Sequence, residues 1–113
     1  MPIKTERTGR LARITLAQPP LNILDLEHLR QLGAALEECR DESVAVVVID
    51  AEGKAFSAGN DIKDHAPDRA PEMIVAFHDA LRTLLDLDAV VLAHVRGPAL
   101  GGGCELVSCC DLA

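Results

Sequence analysis

The sequence predicts an α/β fold built on a parallel sheet, and three observations carry that expectation. Two runs, VAVVVID (Val44 to Asp50) and AVVLAHV (Ala89 to Val95), are apolar and β-branched over most of their length, the signature of strands buried on both faces. Each is preceded by a segment whose apolar residues recur every three or four positions, as an amphipathic helix requires. Helices placed between buried strands are the crossovers that parallel pairing needs.

Taken in order, LARITL (Leu11 to Leu16) alternates and is expected to be a strand that stops at Gln18–Pro20, because proline cannot continue a central strand. From Asp25 to Arg40, Leu26, Leu29, Leu32, Leu36 and Cys39 mark one helix face, with Asp25 as the expected N-cap. The strand Val44–Asp50 comes next. The stretch AEGKAFSAGNDIKDHAPDRAP then reads as a long irregular loop with at most a short strand near Ala55–Ser57. A second helix is expected from Pro71 to about Asp86, then the strand Ala89–Val95, then RGPALGGG and a third helix from Gly102. The segments Asp25–Ser57 and Pro71–Gly103 share one outline of helix, strand and Gly-rich loop, as in a repeating coil.

Composition narrows the function classes. The chain has 113 residues, enough for one ordinary domain or part of a larger one. Apolar residues make up 49%, but with two Phe and no Trp or Tyr the core must be aliphatic. Eleven Lys and Arg against eighteen Asp and Glu give a net charge of −7, which argues against a nucleic-acid partner or a basic membrane-binding face. No window holds the ~18 apolar residues of a membrane span, and the polar MPIKTERTGR is no signal peptide. Cys39, Cys104, Cys109 and Cys110 lack metal or redox spacing, so they read as reduced thiols of a cytoplasmic protein, and no metal site is expected.

The chemistry-bearing pattern is a pair of Gly-rich loops, each following a buried strand. In FSAGND (Phe56 to Asp61), Gly59 frees the amide of Asn60; in LGGGCE, the glycines lead into a helix start whose unpaired N–H groups favour negative charge. Two such amides converging on one point would form an oxyanion hole, with Glu105 one turn beyond Gly102. On the residues alone, simple turns and a dipole-stabilised helix acid account for the same letters. His28 reads as a solvated helix residue and His94 as a satisfied strand residue, while His65 and His78 are ambiguous. The acid clusters Glu37–Glu38 and Asp86–Asp88 read as solvated faces.

KAFSAGNDIK followed by GPALGGGCELVSCCDLA, with PPLNIL upstream, resembles the paired signature segments of the crotonase, or enoyl-CoA hydratase/isomerase, superfamily. The resemblance implies a crotonase-like ββα spiral of which residues 1–113 are the N-terminal part, with later spiral turns and C-terminal helices beyond Ala113. It implies an acyl-CoA thioester as substrate, no cofactor apart from the coenzyme A of that substrate, and a homotrimer or dimer of trimers. The amides of Asn60 and Gly102 then correspond to the oxyanion hole, and Glu105 to one of two water-handling glutamates, the other lying beyond Ala113. Ala58, Asp61 and Ile62 fall where relatives meet CoA, and His65 in the loop beside them would face the acyl pocket. Asn60 stands where a small residue is common, so its side chain would narrow the pocket. The implied reaction is hydration of an α,β-unsaturated thioester, a lyase activity. Isomerisation, thioester hydrolysis, decarboxylation, dehalogenation and a non-catalytic CoA-binding or assembly role are the alternatives. The segment Asp64–His78 also resembles alicyclic dienoyl-CoA hydratases.

Overall fold

The computed structural model describes residues 2–60, 68 and 70–113. Its order is β1 (Ile3–Thr8), β2 (Leu11–Leu16), α1 (Leu26–Glu38), β3 (Val46–Ala51), α2 (Ala70–Leu85), β4 (Val90–Ala93) and α3 (Gly102–Ser108). The sheet order is β1-β2-β3-β4, with β1 antiparallel to β2 and the β2–β3 and β3–β4 pairs parallel. The expected α/β class and parallel core are therefore present, and the two helices between parallel strands are the crossovers.

The element that sequence reading missed is β1. Only Ile3 of its six residues is buried, so no apolar pattern marks it. It forms because the two-residue turn Gly9–Arg10 folds it back on β2 with Thr8 opposite Leu11. Its polar side chains suit an edge strand. The short strand expected near Ala55–Ser57 is reduced to a single bridge between Ser57 and Ala99.

In β2 the alternation is plain: Ala12, Ile14 and Leu16 are buried. Together with Val47, Ile49, Val91 and Ala93 they meet Leu29, Leu32 and Leu36 of α1 and Met73, Phe77 and Leu84 of α2 in one aliphatic core. Each Val, Leu, Ile, Met or Phe among them contributes about 1.5–3 kcal/mol by leaving water. The Asp25 carboxylate accepts from the His28 N–H at 2.9 Å and caps α1 as expected. Gly33 and Ala80 lie at the contact of α1 with α2, and an Arg30–Glu72 ion pair joins the helices at the surface.

His28 corrects its expected solvated role. It is 4% exposed, and neither ring nitrogen completes a hydrogen bond among the described residues, although Nδ1 sits 2.7 Å from Asp25 Oδ1. His28 lies on the inward face of α1 with Leu29, Leu32, Ala35 and Leu36, and shares a small hollow with Leu16 and Leu24. His94 lies one residue past β4, half-exposed, with its N–H on Ile49 O and Nδ1 3.4 Å from Asp50. The four cysteines are free thiols. Cys104 is exposed, whereas burial pushes the Cys110 thiol up to about 12.

Candidate active site

The loop after β3 is held by a frame of buried polar groups. Asn22 is 2% exposed with φ of 48°, a left-handed conformation that Asn tolerates. Its Oδ1 accepts from the Gln18 N–H at 2.8 Å, and its Nδ2 donates to Glu52 O at 2.9 Å and Ala55 O at 3.0 Å. Ser57, fully buried, donates from Oγ to Asn22 O and accepts there from the Gly59 N–H. The Ala58 N–H donates to Leu21 O, and the Leu24 N–H to Gly59 O. These bonds tie the PPLNIL segment to the loop that carries Asn60.

The second loop lies alongside the first. Ser57 pairs in parallel with Ala99, and the Leu100 N–H donates to Ser57 O at 2.9 Å. Gly59 has φ of 101°, and a Cβ there would stand 2.9 Å from Leu100 O and 3.1 Å from the Gly102 nitrogen. The requirement for glycine is thus both torsional and steric. A Cβ on Gly102 would meet Asn60 Oδ1 at 2.1 Å and the Phe77 ring at 3.5 Å. The structure therefore sets the Asn60 side chain directly against Gly102. Among the described residues, neither the Asn60 nor the Gly102 N–H donates to a hydrogen-bond partner.

Glu105 sits in the first turn of α3, its N–H on Gly101 O at 3.0 Å. Its side chain is exposed, so the carboxylate carries no burial cost and the apolar letters around it overstate its surroundings. Leu106 and Gly103 are the buried residues of that helix. The Cys109 thiol is pushed up by burial and by the nearby Glu105 charge. Ala58 is half-buried. Asp61, Ile62 and His65 lie outside the described residues, as does Asp64. His78 is exposed on α2, with its ring 6.4 Å from that of Phe77.

Two residues on α2 that sequence reasoning assigned only to the core belong to this site. Met73, 3% exposed, accepts from Asn60 Nδ2 at 3.0 Å, and Phe77 flanks Gly102. Their helical period marked them as buried, and no signal in the letters distinguished a core contact from a pocket wall. A larger groove of about 770 Å³ runs between α1 and α2, over Leu29, Gly33, Pro71, Val75, Ala76 and Ala80, and none of the candidate residues lines it. The contact of the two loops therefore lies apart from this groove.

The family model for enoyl-CoA hydratase/isomerase matches residues 6–113. The chain belongs to that family. Its relatives include the cyclohexa-1,5-dienecarbonyl-CoA hydratase of Thauera aromatica, 36% identical over 108 residues that cover 95% of this chain and 42% of that protein. A probable enoyl-CoA hydratase of Rhizobium meliloti is 38% identical over 109 residues, 94% of this chain and 42% of the relative. Among solved structures, the enoyl-CoA hydratase of Mycobacterium smegmatis superposes with a TM-score of 0.93 at 35% identity, over 100% of this chain and 47% of that one. The DspI protein of Pseudomonas aeruginosa gives 0.91 at 36% identity, over 97% of this chain and 44% of that one. The chain thus spans less than half the length of these family members, and within that span its fold is the crotonase fold.

Proposed function

We propose that this chain binds an acyl-CoA thioester and, in the intact protein, takes part in hydrating an α,β-unsaturated CoA thioester. The observation that carries the reading is the contact of Asn60 with Gly102, two residues whose N–H groups have no partner among the described residues. A thioester oxygen set between them would receive two hydrogen bonds. These strengthen as charge develops on that oxygen, and an oriented donor of this kind is worth about 3–4 kcal/mol of barrier. Water adds its hydroxyl to the β-carbon and a proton reaches the α-carbon, so the conjugated double bond becomes a C–H and a C–OH bond.

In this reading Glu105 orients the water or exchanges its proton, which suits an exposed carboxylate one turn from Gly102. A second carboxylate comes from outside residues 1–113. By the family resemblance Ala58, Asp61 and Ile62 are the positions that would meet the CoA, and His65 is proposed to meet the acyl chain. No cofactor is required, since coenzyme A arrives with the substrate. An alicyclic dienoyl group is the favoured acyl group, supported by the likeness to the Thauera aromatica hydratase. We assign the enzyme to the cytoplasm as a homotrimer or dimer of trimers; among the described residues no helix is long and apolar enough to cross a membrane.

Glu105→Gln in the intact protein tests the assignment. Loss of enoyl-thioester absorbance should slow by about 10²–10⁴-fold, while the Kd for a saturated acyl-CoA stays within about twofold, well below one RT ln 10. Unchanged turnover removes Glu105 from the mechanism and leaves the chain a thioester-binding role.

A further inference from the structure

The backbone of Asn60 enters the proposed function, and its side chain does not. That side chain is unusual in its surroundings. Oδ1 is fully withdrawn from solvent and has no hydrogen-bond partner among the described residues. It is close enough to Gly102 that a methyl group there would overlap it at 2.1 Å. The other end of the carboxamide is held, because Nδ2 donates to Met73 Sδ at 3.0 Å from a helix whose Met73 and Phe77 are both buried. Sulfur is a poor acceptor, so this contact selects an orientation more than it satisfies the amide. The outcome is a strong acceptor, unsatisfied and aimed into the contact between the two loops.

A buried acceptor without a donor is costly, and a ligand that brings a donor recovers the cost. The donor must lie close to the thioester carbonyl, because the same residue presents its N–H to that carbonyl and its carboxamide beside it. Reach therefore restricts the donor to a group on the α- or β-carbon of the acyl chain. A saturated or olefinic carbon carries no such hydrogen, whereas a hydroxyl does.

We propose that Asn60 is a specificity-determining residue whose carboxamide Oδ1 accepts a hydrogen bond from a hydroxyl on the α- or β-carbon of the acyl-CoA, so that the site selects hydroxyacyl thioesters over their hydrocarbon counterparts. The inference rests on the thioester reading above. It places the hydrated form of the substrate as the better-held partner, and Met73 as the residue that keeps the acceptor turned toward it. Small side chains at position 60 would keep the backbone donor and lose this discrimination.

The test is binding of butyryl-CoA, 3-hydroxybutyryl-CoA and 3-oxobutyryl-CoA to the intact protein by calorimetry. The hydroxy thioester should bind about tenfold more tightly than butyryl-CoA. Asn60→Ala should reduce that ratio to about one, within the scatter of such measurements. Met73→Leu, which leaves the Asn60 backbone untouched and keeps the core filled, should lower it in part. Equal binding of the first two thioesters to wild type overturns the proposal while leaving the thioester reading intact. A hydroxyl preference that survives in both variants overturns it as well. Tighter binding of the 3-oxo thioester does the same, since it would mean that Nδ2 faces the ligand. Binding of none of the three refutes the thioester reading itself, and the proposal with it.

Discussion

Replacing Asn22 by Ala removes the frame on which the first site loop is built, and the loss is calculable from its contacts. The side chain supplies an acceptor to the Gln18 N–H and donors to Glu52 O and Ala55 O. Ala55 is buried, so its carbonyl is orphaned; Glu52 is half-exposed, so water replaces part of its bond. These losses amount to about 2–3 kcal/mol. The φ of 48° adds about 1–2 kcal/mol for any residue with a Cβ and no polar compensation. A change of this size takes a large share of the 5–15 kcal/mol, roughly, that stabilises an ordinary domain. Asn22→Gly separates the two contributions, since it relieves the torsion and keeps the hydrogen-bond loss. Urea unfolding of the intact protein, with slopes compared, measures both variants. A loss below about 1 kcal/mol for Asn22→Ala, or a Gly variant as stable as wild type, would refute the reasoning.

Gly102→Ala should destabilise by about 1–3 kcal/mol through the collision with Asn60 Oδ1. Combining it with Asn60→Ala should restore most of that, and strict additivity in the same unfolding assay would count against the contact. For Asp50, burial raises the carboxyl pKa, but hydrogen bonds from the Ala51 N–H and His94, with the Arg96 charge, outweigh it and hold the pKa below its ordinary value. Its stabilising contribution is therefore present at neutral pH and lost as pH falls below about 4. Unfolding midpoints measured down the acid limb should be flatter for Asp50→Asn than for wild type.

The letters that announced the fold were those repeated at a fixed spacing. Leucines at 26, 29, 32 and 36 placed α1, and the β-branched run at 44–49 placed β3, because burial imposes its period on the sequence. β1 stayed hidden, as an edge strand pairs through its backbone and needs one buried side chain only. His28 was misjudged because a polar side chain reads as solvated, whereas its position falls on the buried face of α1 with Leu29, Leu32 and Leu36. At the site, the glycines were legible through the conformations they permit. Asn22, Ser57, Met73 and Phe77 were not, because their roles depend on contacts between distant segments that no local pattern records. Asp61, Ile62 and His65 lie outside the described residues, so the roles expected of them rest on the sequence alone.

The pairing of Ser57 with Ala99 joins points about forty residues apart, and it therefore has a consequence in time as well as in space. Closing so long a loop carries an entropic cost that local helix formation does not. β3, α2 and β4 must be laid down in sequence before the Leu100 N–H can find Ser57 O. During synthesis the segment that carries Asn60 thus emerges well before the strand partner that Ser57 takes at Ala99. Substitutions on α2 away from Met73 and Phe77 that slow its docking should delay the contact of Asn60 with Gly102.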